Sequence, residues 1–439
     1  MKDLTKGNDI NVIIQFAIPI FLANVLQLTY SFVDTRMVGE FLGDHALAAV
    51  GLTNPLNTLI VGLLTGLTNG FAVITARFFG AHDENGVRRA VAASYGVICA
   101  LVLTVLSVTF LYPMLRILNT PDNLIEDAHR YIVIIFAGMI ISVFYNVCMG
   151  ILRAIGDTVT PLIFLALSAV LNIAGDYICL AVLDMNVEGA AYATLVSQMA
   201  AGIACIIYSV KRYECICFTW QQCRVDSVLA RSMMSSGFSM GFMNSIVSLG
   251  TVSLQGAINT LGDSYIVAHS AARKITELFM MIFSVFGMTM ATFCGQNIGA
   301  GRTDRVRKGI WHSILISWVW CVMTATAAWL AGPWFIHLVT GSSSDEVLAT
   351  GALYLRVDTL FYFVPAVIAI IRNAMQGIGD HSTPIISSTI ELIGKVLIAI
   401  MLVPYLRYTA IIIAEPIVWI LMVIPLIVQI LRNPALKPE

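Results

Sequence analysis

The chain has 439 residues, 58% of them hydrophobic and 12% charged, and a mean hydropathy of +0.85. A water-facing surface needs about twice that charge fraction, which excludes a soluble enzyme and a disordered scaffold. Lys+Arg (25) and Asp+Glu (26) leave a net charge of −1, with no basic surplus to hold nucleic acid.

What remains is a polytopic membrane protein. Each span needs about 20 apolar residues plus a connection, so the length accommodates about a dozen. In chain order the spans are predicted near 11–34, 46–74, 89–113, 129–151, 160–183 and 188–210. A second set follows near 233–259, 264–293, 309–338, 348–373, 385–405 and 408–431. The first stretch, Ile10 to Val33, is too long for a signal-peptide core and is interrupted by Asn11, Gln15, Asn24 and Gln27. It reads as a span with polar positions. The Lys and Arg residues concentrate at the two ends and in alternate connections, as in Arg88-Arg89, Lys211-Arg212 and Arg307-Lys308. By the positive-inside rule both termini are then cytoplasmic.

The cysteines imply neither a disulfide framework nor a metal centre. Cys99, Cys148, Cys179, Cys205, Cys294 and Cys321 lie in apolar stretches. There a free thiol behaves as a small hydrophobe. Cys215, Cys217 and Cys223 share the polar connection 211–231, but their spacing suits zinc poorly and no His is near.

The sequence also repeats. A shift of 219 lays Leu42-Gly43-Asp44 on Leu261-Gly262-Asp263, and Val87-Arg88-Arg89 on Val306-Arg307-Lys308. A shift of 223 lays Ile155-Gly156-Asp157 on Ile378-Gly379-Asp380, and Thr160-Pro161 on Thr383-Pro384. Six spans per unit, an even number, make a parallel repeat, which is a transporter architecture. The expected organisation is an N-lobe over 1–210, a cytoplasmic connection over 211–231 and a C-lobe over 232–439. The sequence holds no nucleotide-binding, metalloprotease or nucleophile-elbow motif, so no catalytic residue is assigned.

In an apolar chain the informative residues are the ionisable ones. Each costs at least about 2.5 kcal/mol near a helix centre unless paired or wet. Asp34 ends the first span, and Asp176 lies well inside the fifth, four residues after Asn172 on one helix face. At about 1.5 Å per residue both acids reach similar depth and could meet across the bundle. The repeat sharpens the point, because Asp34 falls on Ser253, Asn172 on Lys395 and Asp176 on Ala399. The acid pair exists in the first half alone. Glu391 and Lys395 form an i,i+4 pair that neutralises itself. Lys395 and Asn146 are candidate substrate-cleft residues.

These residues resemble a known family. Val33-Asp34, Val38-Gly39, Leu42-Gly43-Asp44, Ala46-Leu47-Ala48-Ala49-Val50, Arg153 through Thr158 with Pro161, and Gly295-Gln296-Asn297-Ile298-Gly299-Ala300 look like multidrug and toxic compound extrusion (MATE) transporters. The resemblance covers essentially the whole chain and is greatest to the DinF-like branch. It implies twelve helices in two six-helix lobes arranged as a V, exporting organic, often cationic compounds in exchange for protons or sodium. It further implies a cation-coupling cluster at Gln27, Asp34, Tyr131, Asn172, Asp176 and Thr194, and a bend at Pro19. The NorM-like branch adds acids in the seventh and tenth spans, whereas Phe242–Ile246 and Phe363–Ala366 carry none here. No cofactor is expected beyond the coupling ion. The expected partners are small organic substrates and membrane lipids, with the chain a monomer. The alternative reading is a lipid or lipid-linked saccharide flippase of related fold, which predicts a cleft rich in Arg and Lys for a pyrophosphate group; the intramembrane cations are few, Arg273, Lys274, Arg356 and Lys395.

Overall fold

Apolar stretches that leave no water to satisfy backbone polar groups must close their hydrogen bonds internally, and helices do so. The computed structural model describes residues 2–95, 125–219, 227–433 and 436, and among them there is no strand. The helices are α1 (Asp9–Gly80), α2 (Glu84–Tyr95), α3 (Ile125–Ala137), α4 (Met139–Ala154), α5 (Val159–Asp176) and α6 (Val187–Arg212). They continue as α7 (Ser227–Ile258), α8 (Asp263–Gly299), α9 (Thr303–Thr340), α10 (Asp345–Leu360) and α11 (Phe363–Ile378). The last are α12 (Ser382–Met401), α13 (Val403–Leu406) and α14 (Tyr408–Arg432).

Among the described residues, eight helical segments are long and apolar enough to cross a membrane, and two bent pairs bring the number to ten. α1 contributes two of them, Asp9–Gly43 and Asn57–Gly80, because its backbone leaves helical geometry at Gly43 (φ 79°). The bent pairs are the fourth and tenth predicted spans, broken by 49° after Ala137 and by 55° after Leu360. The seventh is α7, 32 residues long but rich in Ser and Gly. Most of the third, with Cys99, lies outside the described residues, as do positions 220–226 of the connection with Cys223.

The duplication is written into the backbone. Positive φ recurs in pairs at Gly43 and Gly262, His82 and Gly301, Gly156 and Gly379, and Asp184 and Arg407. The separations are the same 219 and 223 residues found in the sequence. At Asp184 and Arg407 a non-glycine residue accepts the left-handed conformation in both copies, so each loop demands the turn despite its steric cost. Asp157 and Asp380 serve these turns. The Asp157 Oδ1 accepts from the Val159 and Thr160 amides, and its Oδ2 accepts from the Tyr213 hydroxyl at 2.6 Å. Asp380 accepts from the Ser382 and Thr383 amides and the Thr383 hydroxyl. Burial alone would raise these two carboxyl pKa values, but the hydrogen bonds prevail and hold both below the ordinary range.

The chain forms two compact units whose boundaries cut through helices. One comprises residues 1–3 and 18–241, the other 4–17 and 242–439. The expected lobe limits at 210 and 232 therefore differ from the packing at two places. In the first unit, Gly66 and Gly70 of α1 cross Gly237 and Gly241 of α7. A Cβ on Gly66 would lie 2.5 Å from the Gly241 Cα, and one on Gly70 would strike Gly237. Two small-xxx-small faces thus bring the first third of α7 onto α1. In the second unit the N-terminal segment is strapped to α8 and α9. The Leu4 amide donates to Gln296 Oε1 at 3.0 Å, Arg305 donates to the carbonyls of Leu4, Lys6 and Gly7, and Arg305 pairs with Asp9 at 2.8 Å. The Gln296-Asn297 dipeptide of the sequence motif is part of this clasp, since Asn297 Nδ2 also donates to the Leu4 carbonyl.

Candidate functional site

The first unit brings the two predicted acids together. Asp34, on the first arm of α1, faces Asp176 at the end of α5, and the two side chains interact directly. Asp176 is 0% exposed. Both of its carboxyl oxygens, and Oδ1 of Asp34, are buried without a donor in hydrogen-bonding geometry. No basic side chain acts on either carboxyl among the described residues.

The elements around the pair explain how it is held. Immediately after Asp176 the helix widens into a single π-helical stretch, Tyr177–Val182. Such widenings are rare and concentrate at functional sites. Gly175 lets α5 approach α6 closely, since a Cβ there would lie 3.0 Å from that of Ala193. One turn back, buried Asn172 donates from Nδ2 to Thr194 Oγ1 at 3.3 Å, and Thr194 donates onward to the Ala190 carbonyl. Tyr131 of α3 is close enough to both Asp34 and Asp176 to interact with their charges. Gln27 is exposed and bonds to Tyr30, which itself neighbours Asp34. Of the six predicted coupling residues, five therefore surround or adjoin one point, with Gln27 reaching it through Tyr30.

Pro19 is buried, and α1 keeps helical dihedrals through it. It lies two residues past Ala17, where α1 passes from one compact unit to the other. Asn146 of α4 donates to the Ser142 carbonyl in its own helix.

The second unit holds acids that sequence reasoning underrated. Glu391 of α12 and Glu415 of α14 flank Lys395, which reaches them at 2.9 and 3.1 Å. Arg273 of α8 contacts Glu415 at 3.5 Å, and Arg372 of α11 contacts Glu391 at 3.8 Å. Asp358 of α10 is 0% exposed and accepts from the Thr276 hydroxyl at 3.3 Å. The tenth span thus does carry a carboxylate, upstream of its break rather than in Phe363–Ala366. The signal for the cluster was weak, because its partners are far apart in sequence and a single acid within each apolar run looks like noise. Lys395, offered as a cleft residue, is 2% exposed and occupied by two glutamates.

The MatE family model matches residues 19–178 and 240–401, most of the chain and both repeats. The chain belongs to the MatE family. A probable multidrug resistance protein of Bacillus subtilis (strain 168), YpnP, is 28% identical over 82% of this chain and 80% of its own length. The probable multidrug resistance protein NorM of Thermotoga maritima is 25% identical over 90% of this chain and 86% of its own. A solved structure of a multidrug resistance MATE family transporter of the MOP superfamily, in the outward-facing conformation, superposes with a TM-score of 0.91. The alignment covers 100% of this chain and 98% of that one at 24% identity. This MatE protein is therefore an all-α, multi-pass membrane transporter and not an enzyme.

Proposed function

We propose that this MatE protein is a cation-coupled antiporter that exports organic, cationic or amphipathic compounds across the cytoplasmic membrane, with Asp34 and Asp176 as its coupling site. The observation that carries the reading is the pair itself. The buried Asp176 carboxyl and the half-buried Asp34, side by side and without a base among the described residues, repel each other when ionised and are poorly solvated. Capture of a proton or a sodium ion removes that penalty. The free oxygens of Asp176 supply acceptors, with Tyr131 within electrostatic reach of both acids. Release of the ion restores an anionic site that favours a cationic substrate, so the two bind in alternation. Pro19, which removes one helical hydrogen bond next to the boundary between units, is where α1 bends with least cost. The family relatives carrying multidrug resistance names support the substrate class.

The flippase reading needs cations within the spans that are free of acids, and the intramembrane Arg273, Arg372 and Lys395 are each matched to a glutamate, whereas Arg307 and Lys308 stand at the start of a helix. The protein works as a monomer with both termini cytoplasmic. Reporters fused after Glu439 and within 211–231 both read cytoplasmic in this account, and an external signal from either overturns the orientation. The function is tested by efflux of a cationic dye from proteoliposomes under separately imposed proton and sodium gradients. One gradient drives export. Efflux that depends on neither excludes coupling.

A further inference from the structure

The second unit has a cleft that the transport cycle above does not use. It has a volume of about 710 Å³ and lies between the start of α9, α11 and the end of α14. That is within the range of small-molecule sites, roughly 300–1,000 Å³. Buried Ile310, Ile314 and Ile371 line it, with Val367, Ile427 and Leu431 adding aliphatic wall nearer the surface. Its lining includes Arg307 and Lys308, both exposed and in no salt bridge within 4.0 Å among the described residues, with Asp304 the acid near enough to Lys308 to interact with its charge. Beside them are Trp311 and Trp318, whose rings are 6.3 Å apart, and His312, whose Nδ1 is buried without a partner. Trp318 Nε1 donates to the Phe363 carbonyl at 3.2 Å, which orients the indole. Trp311 and Leu431 are 54% and 73% exposed, and the cleft opens on that apolar flank.

The first unit contains the counterpart, and the differences are informative. Val91, Tyr95, Phe144 and Cys148 line a cleft of about 410 Å³, and they occupy the repeat positions of Ile310, Ile314, Val367 and Ile371. There Phe218 packs over Tyr95 at 6.0 Å, and Arg88 is engaged by Glu84 at 3.6 Å. Among the described residues no basic one lines it. Duplication made two clefts, and one of them is larger with a basic rim and an indole belt. A cationic substrate would be repelled by that rim. A cation-headed occupant is thereby excluded, and an anion with long apolar tails is favoured.

We propose that this cleft holds an anionic phospholipid of the cytoplasmic leaflet, with its phosphate at Arg307 and Lys308 and its acyl chains along Ile310, Ile371 and Ile427. Basic pockets between helices at the cytoplasmic side suit such headgroups, and tryptophans sit at the same interfacial depth. The leaflet assignment rests on the orientation given under the proposed function; the lipid class does not.

The test is native mass spectrometry of the purified full chain in detergent with phosphatidylglycerol or phosphatidylcholine added. The wild type retains phosphatidylglycerol preferentially. R307Q/K308Q loses that preference by roughly tenfold to thirtyfold, on the scale of two basic contacts. R88Q/R89Q, at the repeat position, keeps it. I371W, which fills the cleft and leaves both bases in place, also loses retention, so the result does not depend on one variant. Equal retention of the two lipids by the wild type, or unchanged preference in R307Q/K308Q, overturns the proposal. Orientation is read separately by labelling R302C in intact cells. Labelling from outside refutes the leaflet alone, since protein in detergent has no sides.

Discussion

The two units bury acids in opposite ways. In the first, Asp34 and Asp176 share a site to which no base contributes among the described residues. In the second, Glu391 and Glu415 are distributed among Lys395, Arg273 and Arg372. The repeat makes the divergence local, since the position of Asn172 in one copy is that of Lys395 in the other. A neutralised cluster has little need of an ion from solution. An unneutralised pair has a standing need, and the proposed function is that transport converts this need into coupling. The difference teaches that the count of buried acids is a poor guide to an ion site. The local balance of charge is the better one.

The largest effect on stability is expected where the balance is broken in the second unit. Lys395→Met leaves two buried glutamates short of a partner, and removal of one member of a buried pair costs about 3–5 kcal/mol. Thermal unfolding in detergent would show a large drop. A melting temperature equal to the wild type would mean that the cluster is hydrated or reorganises, and the contrast between units would fail.

An intermediate effect is expected at the repeated turns. Asp157→Ala and Asp380→Ala each remove a carboxylate that caps two backbone amides, a loss of about 1–2 kcal/mol. Both carboxyls are held below their ordinary range in the fold. Their contribution is therefore full above an unfolded value near about 3.9 and fades as pH falls through the lower folded value. Melting curves of wild type and either alanine variant should separate at neutral pH and converge in strong acid. Separation that persists at low pH would contradict the capping role.

The smallest effect on stability is expected at the pair proposed for coupling. Asp34→Asn and Asp176→Asn replace a repelling carboxyl by a neutral amide of similar size, so unfolding should shift by within about 1 kcal/mol, in either direction. A loss comparable to that of Lys395→Met would show that the pair is structural, and the two units would then be alike.

Much of this was legible in the sequence, for reasons that differ by feature. Hydropathy exposed the spans because the bilayer imposes one length on all of them. The duplication was legible because Leu42-Gly43-Asp44 and Ile155-Gly156-Asp157 meet backbone demands that the second copy shares. Asp34 and Asp176 stood out because helical rise placed them at one depth, and the structure joins them. The ends of the units were not legible. That residues 4–17 pack on the second unit depends on Arg305, 298 residues beyond Gly7, and no periodicity announces it. The cluster of Arg273 and Glu415, 142 residues apart, was hidden in the same way. The π-helical stretch after Asp176 left no compositional trace, because Tyr177–Val182 is apolar like any other part of a span.

The most direct test of the central claim compares Asp34→Asn, Asp176→Asn and Asp358→Asn, the last chosen because Asp358 is the buried acid of the second unit with no ion pair among those described. Each is reconstituted in proteoliposomes, and dye efflux per folded molecule is measured under the gradient that drives the wild type. The account predicts that Asp34→Asn and Asp176→Asn lose gradient-driven efflux by at least about tenfold, on the scale of one lost charge interaction, while Asp358→Asn retains it. Normal coupled efflux in both first-unit variants, with loss in Asp358→Asn, would place the coupling site in the second unit and contradict the account.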